Sequence, residues 1–176
     1  RLYEAWIYVP FVCVLAVSPA LVNARIQDRS LYETRLVILI QCILGMSFCV
    51  FLFFALFGET FINLTFGPAY AASYVPLVTL MLATLPAALG TIIGRYFVFE
   101  HREGAVAVRT ILAAVLNIVI CVVLIRIWGE RGAALSVLFS LIGAQYIFLW
   151  FRPKDAEILG LIHQAVFPFQ KGVRRD

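Results

Sequence analysis

LVILIQCILGMSFCVFLFFALFG, residues 36–58, contains no Asp, Glu, Lys or Arg and decides the fold class. A helix needs roughly 20 apolar residues to cross the hydrocarbon core of a bilayer, so this run is long enough to span it. Four further uncharged runs are residues 5–24, 60–94, 110–125 and 132–151. The run at 110–125 is short, but the long stems of Arg109 and Arg126 beside it can reach the two interfaces. We therefore predict an all-α, polytopic bundle of transmembrane helices with about five crossings.

The composition excludes an ordinary soluble domain. Hydrophobic residues make up 63% of the 176 residues and charged residues 14%, and the mean hydropathy is +0.97. Soluble domains are near 45–50% apolar and 25% charged. The net charge of +4 does not indicate nucleic-acid binding. The charges lie between and after the apolar runs, where contact with anionic lipid headgroups is expected.

The helices are predicted at about 5–24, 36–58, 70–97, 106–128 and 132–151, which together form one bundle over residues 1–152. Between the second and third helices, Gly58, Gly67 and Pro68 predict a turn over 58–68. Residues 153–176 are predicted to be a basic tail. Within it, apolar residues at helical spacing over 156–170 favour a short amphipathic helix lying at the membrane interface. The alternative is a frayed tail.

The distribution of basic residues predicts the orientation. With five crossings, eleven of the 14 Lys and Arg residues fall on one side of the membrane. The excess of Lys and Arg in short loops marks the cytoplasmic side. We therefore expect the 25–35 connection, the 98–109 connection and the C-terminus in the cytoplasm. A sixth crossing would place the last basic cluster outside.

Polar residues near or within the apolar runs are the candidates for a substrate path. They are expensive in a bilayer and usually face the bundle interior or a wet cavity. The candidates are Arg95, Asn117, Gln41 and Arg109. An arginine in a cavity can bind a pyrophosphate in bidentate geometry. The alternatives are helix–helix hydrogen bonding for the two amides and a position at the membrane boundary for the two arginines.

Two glycine pairs are predicted to serve helix packing. Gly90 and Gly94 form a GxxxG, which lets neighbouring helices approach closely. Gly129 and Gly132 bracket a tight turn into the last helix. A hinge near Gly90 is the alternative, because broken helices recur in transporters.

The sequence offers no sign of an enzyme, a cofactor or a metal site. It contains no Walker A loop, GxSxG or HExxH. The four cysteines lie inside apolar runs without a CxxC pair, and the two histidines, His101 and His163, are isolated. We therefore expect neither catalysis nor a bound metal.

Four strings in order carry a resemblance to a known family. They are Ser18-Pro-Ala-Leu21, Phe66-Gly-Pro-Ala-Tyr70, Leu116-Asn-Ile118 and Trp128-Gly-Glu-Arg-Gly-Ala-Ala134. Over residues 1–152 the chain resembles the C-terminal half of the Wzx-type O-antigen flippases, within the multidrug/oligosaccharidyl-lipid/polysaccharide exporter superfamily. The second string is similar to the family's FGxxY before a long helix. The arrangement of Asn117 followed by GxxGAA is the most specific part.

The resemblance implies a function and a location. Such proteins form two six-helix lobes around a central cavity in the bacterial inner membrane. They move undecaprenyl-pyrophosphate-linked oligosaccharide to the periplasmic leaflet by alternating access. This chain would then supply the last five of twelve crossings, and its partners would be the lipid-linked oligosaccharide, membrane lipids and the N-terminal lobe of the same protein. The alternatives are a multidrug or toxin extruder of the same superfamily, a membrane-embedded polymerase or transferase, and a non-transporting scaffold.

Overall fold

The computed structural model describes residues 2–150 and 156–166. These residues form six α-helices and a 3-10 helix, and no strand occurs among them. The helices are α1 (Leu2–Gln27), α2 (Arg29–Thr65), the 3-10 helix Pro68–Ser73, α3 (Tyr74–Phe99), α4 (Glu103–Trp128), α5 (Glu130–Trp150) and α6 (Ala156–Val166). The predicted all-α helical bundle is confirmed.

Within the described residues, four segments are long and apolar enough to cross a membrane, as expected of a multi-pass membrane protein. They are α1, α2, the continuous segment Pro68–Phe99 and α4. The fifth predicted crossing corresponds to α5, a helix of 21 residues.

The second helix is much longer than the uncharged run that predicted it. The structure extends it from Arg29 to Thr65, a length of 37 residues. The predicted turn over 58–68 therefore began too early, because Gly58 is buried within α2. A helix leaving the hydrocarbon core can continue through polar residues, so charges mark the edge of the membrane and not the end of the helix.

The predicted 25–35 connection is reduced to a single residue between α1 and α2. Asp28 caps α2: its carboxylate accepts hydrogen bonds from the Ser30 hydroxyl at 2.5 Å and the Ser30 N–H at 3.0 Å. These bonds lower the pKa of the Asp28 carboxyl. N-caps of this kind satisfy backbone donors at a helix start, so the chain turns sharply without a loop.

The turn between α3 and α4 is also short, with three residues between the helices. The N–H of His101 donates to the Val98 carbonyl at 3.1 Å, and the N–H of Arg102 donates to the Phe97 carbonyl at 2.8 Å. His101 has a positive φ of 55°. These features define a Schellman motif, in which the left-handed position usually carries glycine. The third and fourth helices thus end at Phe99 and start at Glu103, against predicted boundaries at 97 and 106.

The bundle is packed around α2 and α3. Buried apolar side chains from all six helices form a continuous core that includes Leu36, Ile40, Ile93, Phe97 and Phe148. The fourth helix lies at the periphery: it packs mainly against α5 and contacts α3 little. Ala105 is the one buried residue of α4, so most of its apolar surface is free to face lipid.

The short helix predicted in the tail is present as α6. Its residues Leu161 and Ala165 join the core, and Gln41 of α2 donates from Nε2 to the Ala165 carbonyl at 3.2 Å. The fourth turn of α2 and the last turn of α6 are thereby held together. The predicted helix continued to residue 170, and its last residues and the basic cluster lie outside the described residues. The structure contains no membrane, so the interfacial position stays a prediction.

Candidate functional site: a cavity with two arginines

A cavity of about 480 Å³ lies between α1, α3, α4 and α5. This volume falls in the range of small-molecule sites, 300–1,000 Å³. Apolar and small side chains make up most of its wall. Its polar side chains are Thr91, Arg95, Arg109, Thr110 and Gln145. No acidic residue is among the described residues that line it.

Arg109 is the most unusual residue of this cavity. It lies in the second turn of α4, and its Nη1 is buried without a hydrogen-bond partner among the described residues. A guanidinium carries five donors and stays charged in proteins, and burying such a group without a partner is costly. A buried guanidinium nitrogen without a partner among the described residues therefore makes Arg109 a candidate for binding an anion.

The GxxxG of α3 makes room for this guanidinium. A Cβ placed on Gly90 would lie 3.3 Å from Nη1 of Arg109, and a Cβ on Gly94 would lie 3.4 Å from Nη2. The contact at Gly90 is tight, and the contact at Gly94 is at the short end of ordinary van der Waals contact. The two glycines therefore form a notch on α3 that the Arg109 side chain enters from α4, a use beyond the predicted helix packing.

Gln145 of α5 closes the same notch. Its Nε2 would lie 3.0 Å from a Cβ on Gly90, and it donates a hydrogen bond to the carbonyl of Pro86. Gln145 is buried. It links α5 to α3 just beside the guanidinium, so the position of Arg109 is bounded by two helices.

Arg95 and two threonines complete the polar wall. Arg95 follows Gly94 on α3 and lines the cavity half-exposed. The hydroxyls of Thr91 and Thr110 donate to the carbonyls of Ala87 and Val106, four residues earlier in their own helices. Each hydroxyl oxygen keeps its lone pairs for a further hydrogen bond. The cavity thus holds two cations, two hydroxyls and the Gln145 amide in an otherwise apolar wall.

The structure places the other two path candidates outside this cavity. Asn117 donates from Nδ2 to the Ser140 hydroxyl at 3.2 Å and so joins α4 to α5. Gln41 contacts α6, as described above, and lines a separate cavity on the far side of α2. Of the four predicted residues, Arg95 and Arg109 therefore come together, and the two amides act in helix contacts.

The second glycine pair lies at the turn between α4 and α5. Gly129 has a φ of 57° and a ψ of −131°, a conformation that side chains with a Cβ rarely adopt. A Cβ on Gly132 would clash with the carbonyl of Leu124. The two backbones touch at this point, which is the close helix approach expected of this pair.

Gln145, Thr91 and Thr110 were not predicted as site residues. Gln145 carried a usable signal, since an amide in the uncharged run 132–151 must find a partner. Thr91 carried the same signal, because it is a polar residue inside the uncharged run 60–94. Thr110 carried none, since it lies at the edge of its run and a threonine can satisfy its hydroxyl on the preceding turn, as both do here.

Two further properties of the described residues bear on chemistry. No three His, Cys, Asp or Glu residues within residues 2–150 and 156–166 come together as possible metal ligands. The four cysteines, which all lie in these ranges, are free thiols.

Comparisons with protein-family models, curated proteins and solved structures found no match to this chain.

Proposed function

We propose that the protein flips an undecaprenyl-pyrophosphate-linked oligosaccharide across the bacterial inner membrane, with this chain as part of the transporter. The observation that carries the proposal is the guanidinium of Arg109, which lines a bundle cavity and has a buried Nη1 with no hydrogen-bond partner among the described residues. The resemblance of the sequence to the Wzx-type flippases supplies the substrate class.

The chemistry of the cavity supports an anionic lipid-linked substrate. Arginine matches the oxygens of a phosphate in bidentate geometry, and such charge-assisted bonds are about twice as strong as neutral ones. Arg109 and Arg95 would hold the two phosphates, while the Thr91 and Thr110 hydroxyls and the Gln145 amide would contact sugar hydroxyls. The apolar wall suits the lipid end.

The same lining argues against extrusion of cationic drugs. A cation exporter needs a carboxylate in its path to attract its cargo, and among the described residues that line this cavity there is none. We also propose that the chain has a binding role and no catalytic one, since the polar side chains of the cavity offer neither a nucleophile with a base beside it nor paired carboxylates.

In the mechanism we propose, the cavity is accessible from one leaflet at a time. Anion binding at Arg109 would remove the cost of its burial and so favour a state closed around the substrate. The glycine notch on α3 would let the guanidinium move without displacing a helix. Rocking of this bundle against the remainder of the transporter would then expose the cavity to the periplasmic side.

Complementation tests the proposal directly. The natural protein that contains this chain would be expressed in flippase-null strains with several O-antigen backgrounds, and surface polysaccharide would be measured on gels. We expect restoration in at least one background. Replacing Arg109 by Gln removes a charge-assisted pair and should lower the polysaccharide about tenfold or more, whereas Arg109→Lys should retain part of it.

Arg126→Gln is the matched control, since Arg126 is an exposed arginine in the last turn of the same helix. It should leave the polysaccharide level unchanged. If no background is restored, or if R109Q and R126Q behave alike at equal protein levels, the proposed function is wrong.

We also propose a cytoplasmic location for the two short turns at Asp28 and His101. Arg25 supports their common location, because it forms an ion pair with Glu100 at 2.8 Å and donates to the Phe99 carbonyl. The basic residues near these turns favour the cytoplasmic side. Alkaline phosphatase fused after His101 should then be inactive and after Gly129 active. The reverse pattern would invert the orientation.

A further inference from the structure

A second cavity, of about 460 Å³, lies on the outside of the bundle between α1 and α2. We call it the α1–α2 groove. Its wall includes Val17 of α1 and Ile38, Cys42 and Met46 of α2, and among the described residues that line it Arg35 is the one with a charge. Ile38 is 52% exposed and Cys42 is exposed, so the groove is open along its length. It shares no lining residue with the arginine cavity.

The depth of the groove corresponds to one leaflet of a bilayer. Arg35 is the last charged residue of α2 before the uncharged run 36–58, which places it at the level of the lipid headgroups. From Arg35 to Met46 the helix rises about 16 Å at 1.5 Å per residue. This is about half of a hydrocarbon core of about 30 Å. The groove therefore extends from the headgroup level to the middle of the membrane.

Arg35 differs from its basic neighbours at this end of the bundle. Arg25 forms an ion pair with Glu100, and Arg29 with Glu33. Arg35 donates from Nη1 to the carbonyl of Ala20 at 3.2 Å, and within residues 2–150 and 156–166 it forms no ion pair. Its charge is therefore not neutralised by these residues, and most of its donors are available to a ligand.

We propose that the α1–α2 groove is a binding site for an anionic phospholipid, with the phosphate on Arg35 and one acyl chain along the groove. The positive charge at the headgroup level and the apolar wall below it match the two parts of such a molecule. A zwitterionic lipid would fill the groove but leave the arginine charge less well compensated. A free phosphate would bind Arg35 but leave the apolar wall empty. The proposal does not depend on the proposed function.

Photo-crosslinking in nanodiscs tests this site. The protein would be reconstituted in an equal mixture of phosphatidylglycerol and phosphatidylethanolamine, with a diazirine on the acyl chain of one lipid at a time. We expect phosphatidylglycerol to label peptides of α1 and α2 that contain groove residues, more strongly than phosphatidylethanolamine does. One arginine near an anionic surface contributes enough to change lipid binding about fivefold, so Arg35→Gln should lower the labelling by about that factor.

Two pairs of variants control the experiment. Arg126→Gln removes an exposed arginine far from the groove and should leave the labelling unchanged. Cys42→Trp fills the groove and keeps Arg35, so it should also lower the labelling. Cys49→Trp is its match, because Cys49 is exposed on the same helix and does not line the groove. All four substituted positions are exposed. Elution of each variant at the wild-type volume in size-exclusion chromatography checks its folding.

Three results would overturn the proposal. The first is that the two phospholipids label the groove equally and that Arg35→Gln does not change this labelling. The second is labelling of the groove by a polyprenyl pyrophosphate in preference to phosphatidylglycerol, which would make the groove part of a substrate path. The third is an unlabelled groove in the natural protein, which would mean that another protein segment covers it.

Discussion

The two ends of α4 are packed in opposite ways. Near its C-terminus, α4 and α5 are so close that Gly132 lies against the backbone carbonyl of Leu124. Near its N-terminus the neighbouring helices leave a cavity, and the Arg109 side chain extends across it to the glycines of α3. Glycine has a different use at each end: it admits a helix backbone at one and a charged side chain at the other.

The C-terminal end of α4 is therefore structural, whereas its N-terminal end has room to bind a ligand. Close backbone contact leaves no room for a ligand and resists movement. A charged side chain in a notch with open space beside it can change its contacts at low cost. We therefore expect substitutions at the tight end to act on stability, and substitutions at the cavity end to act on transport and binding.

The largest effect is expected at Gly132. A Cβ at this position has no room unless α4 and α5 separate, so Gly132→Ala should lower the free energy of unfolding by about 3 kcal/mol. Gly143 is the control on the same helix, since its Cβ would meet the Leu116 side chain at 3.6 Å, an ordinary contact. Thermal unfolding in detergent measures both variants. Equal stability of the two variants would mean that the close approach of α4 and α5 at Gly132 does not contribute to stability.

Gly90→Ala should have the next largest effect and act at the cavity end. The new Cβ would lie 3.0 Å from Nε2 of Gln145 and 3.3 Å from Nη1 of Arg109, and the guanidinium would have to shift. We expect a loss of stability of about 1 kcal/mol together with a loss of polysaccharide export in the complementation assay. Gly45→Ala, with open space around its Cβ, should change neither. Wild-type export by G90A would contradict the role given to the notch.

The residues on either side of α4 provide a smaller and opposite test. His101 before it and Gly129 after it both have positive φ values. A residue with a Cβ is strained by about 1–2 kcal/mol in this conformation, so His101 is strained and Gly129 is not. His101→Gly should therefore raise the stability by about 1 kcal/mol, and Gly129→Ala should lower it. Denaturation midpoints of the two variants check the signs. A loss of stability in H101G would show that the imidazole makes a contact worth more than the strain.

The smallest effect is expected at the middle of α4, between its tight end and its cavity end. Asn117 donates to Ser140 at 3.2 Å, and hydrogen bonds between membrane helices contribute about 0.6 kcal/mol on average. Asn117→Ala should cost about that much and leave transport unchanged. A double-mutant cycle with Ser140→Ala measures the coupling. A strong loss of transport at normal stability would return Asn117 to the substrate path.

The sequence was sufficient for the helix pattern because the cost of burying charge in lipid acts on every residue of a crossing. Uncharged runs marked the helices over residues 2–128, and Gly129 marked the last turn. The helix ends were less accurate. At Asp28 and at Thr65, hydrogen bonding by the cap and local packing decide where the helix begins or ends.

The site was predictable only in part. A polar residue in an apolar run must find a partner or a cavity, and the sequence does not say which. Arg109 and Arg95 line the cavity, whereas Asn117 donates a hydrogen bond to Ser140 and Gln41 donates one to α6. The choice depends on the rotation of each helix about its axis, which is set by packing against neighbours distant in the sequence. The same limit hid Gln145.

The length of α2 has a consequence for the membrane itself. At 37 residues it extends about 55 Å, more than the 40–45 Å of a bilayer with its headgroups. Its uncharged part, residues 36–58, spans about 35 Å. Nearly two turns of helix continue on each side, with several charged residues over 29–35 and Glu59 on the other side. A thinner or thicker bilayer can then be accommodated by tilting or sliding this helix, without breaking its backbone hydrogen bonds. The long α2 helix thus allows the bundle to tolerate hydrophobic mismatch with the bilayer.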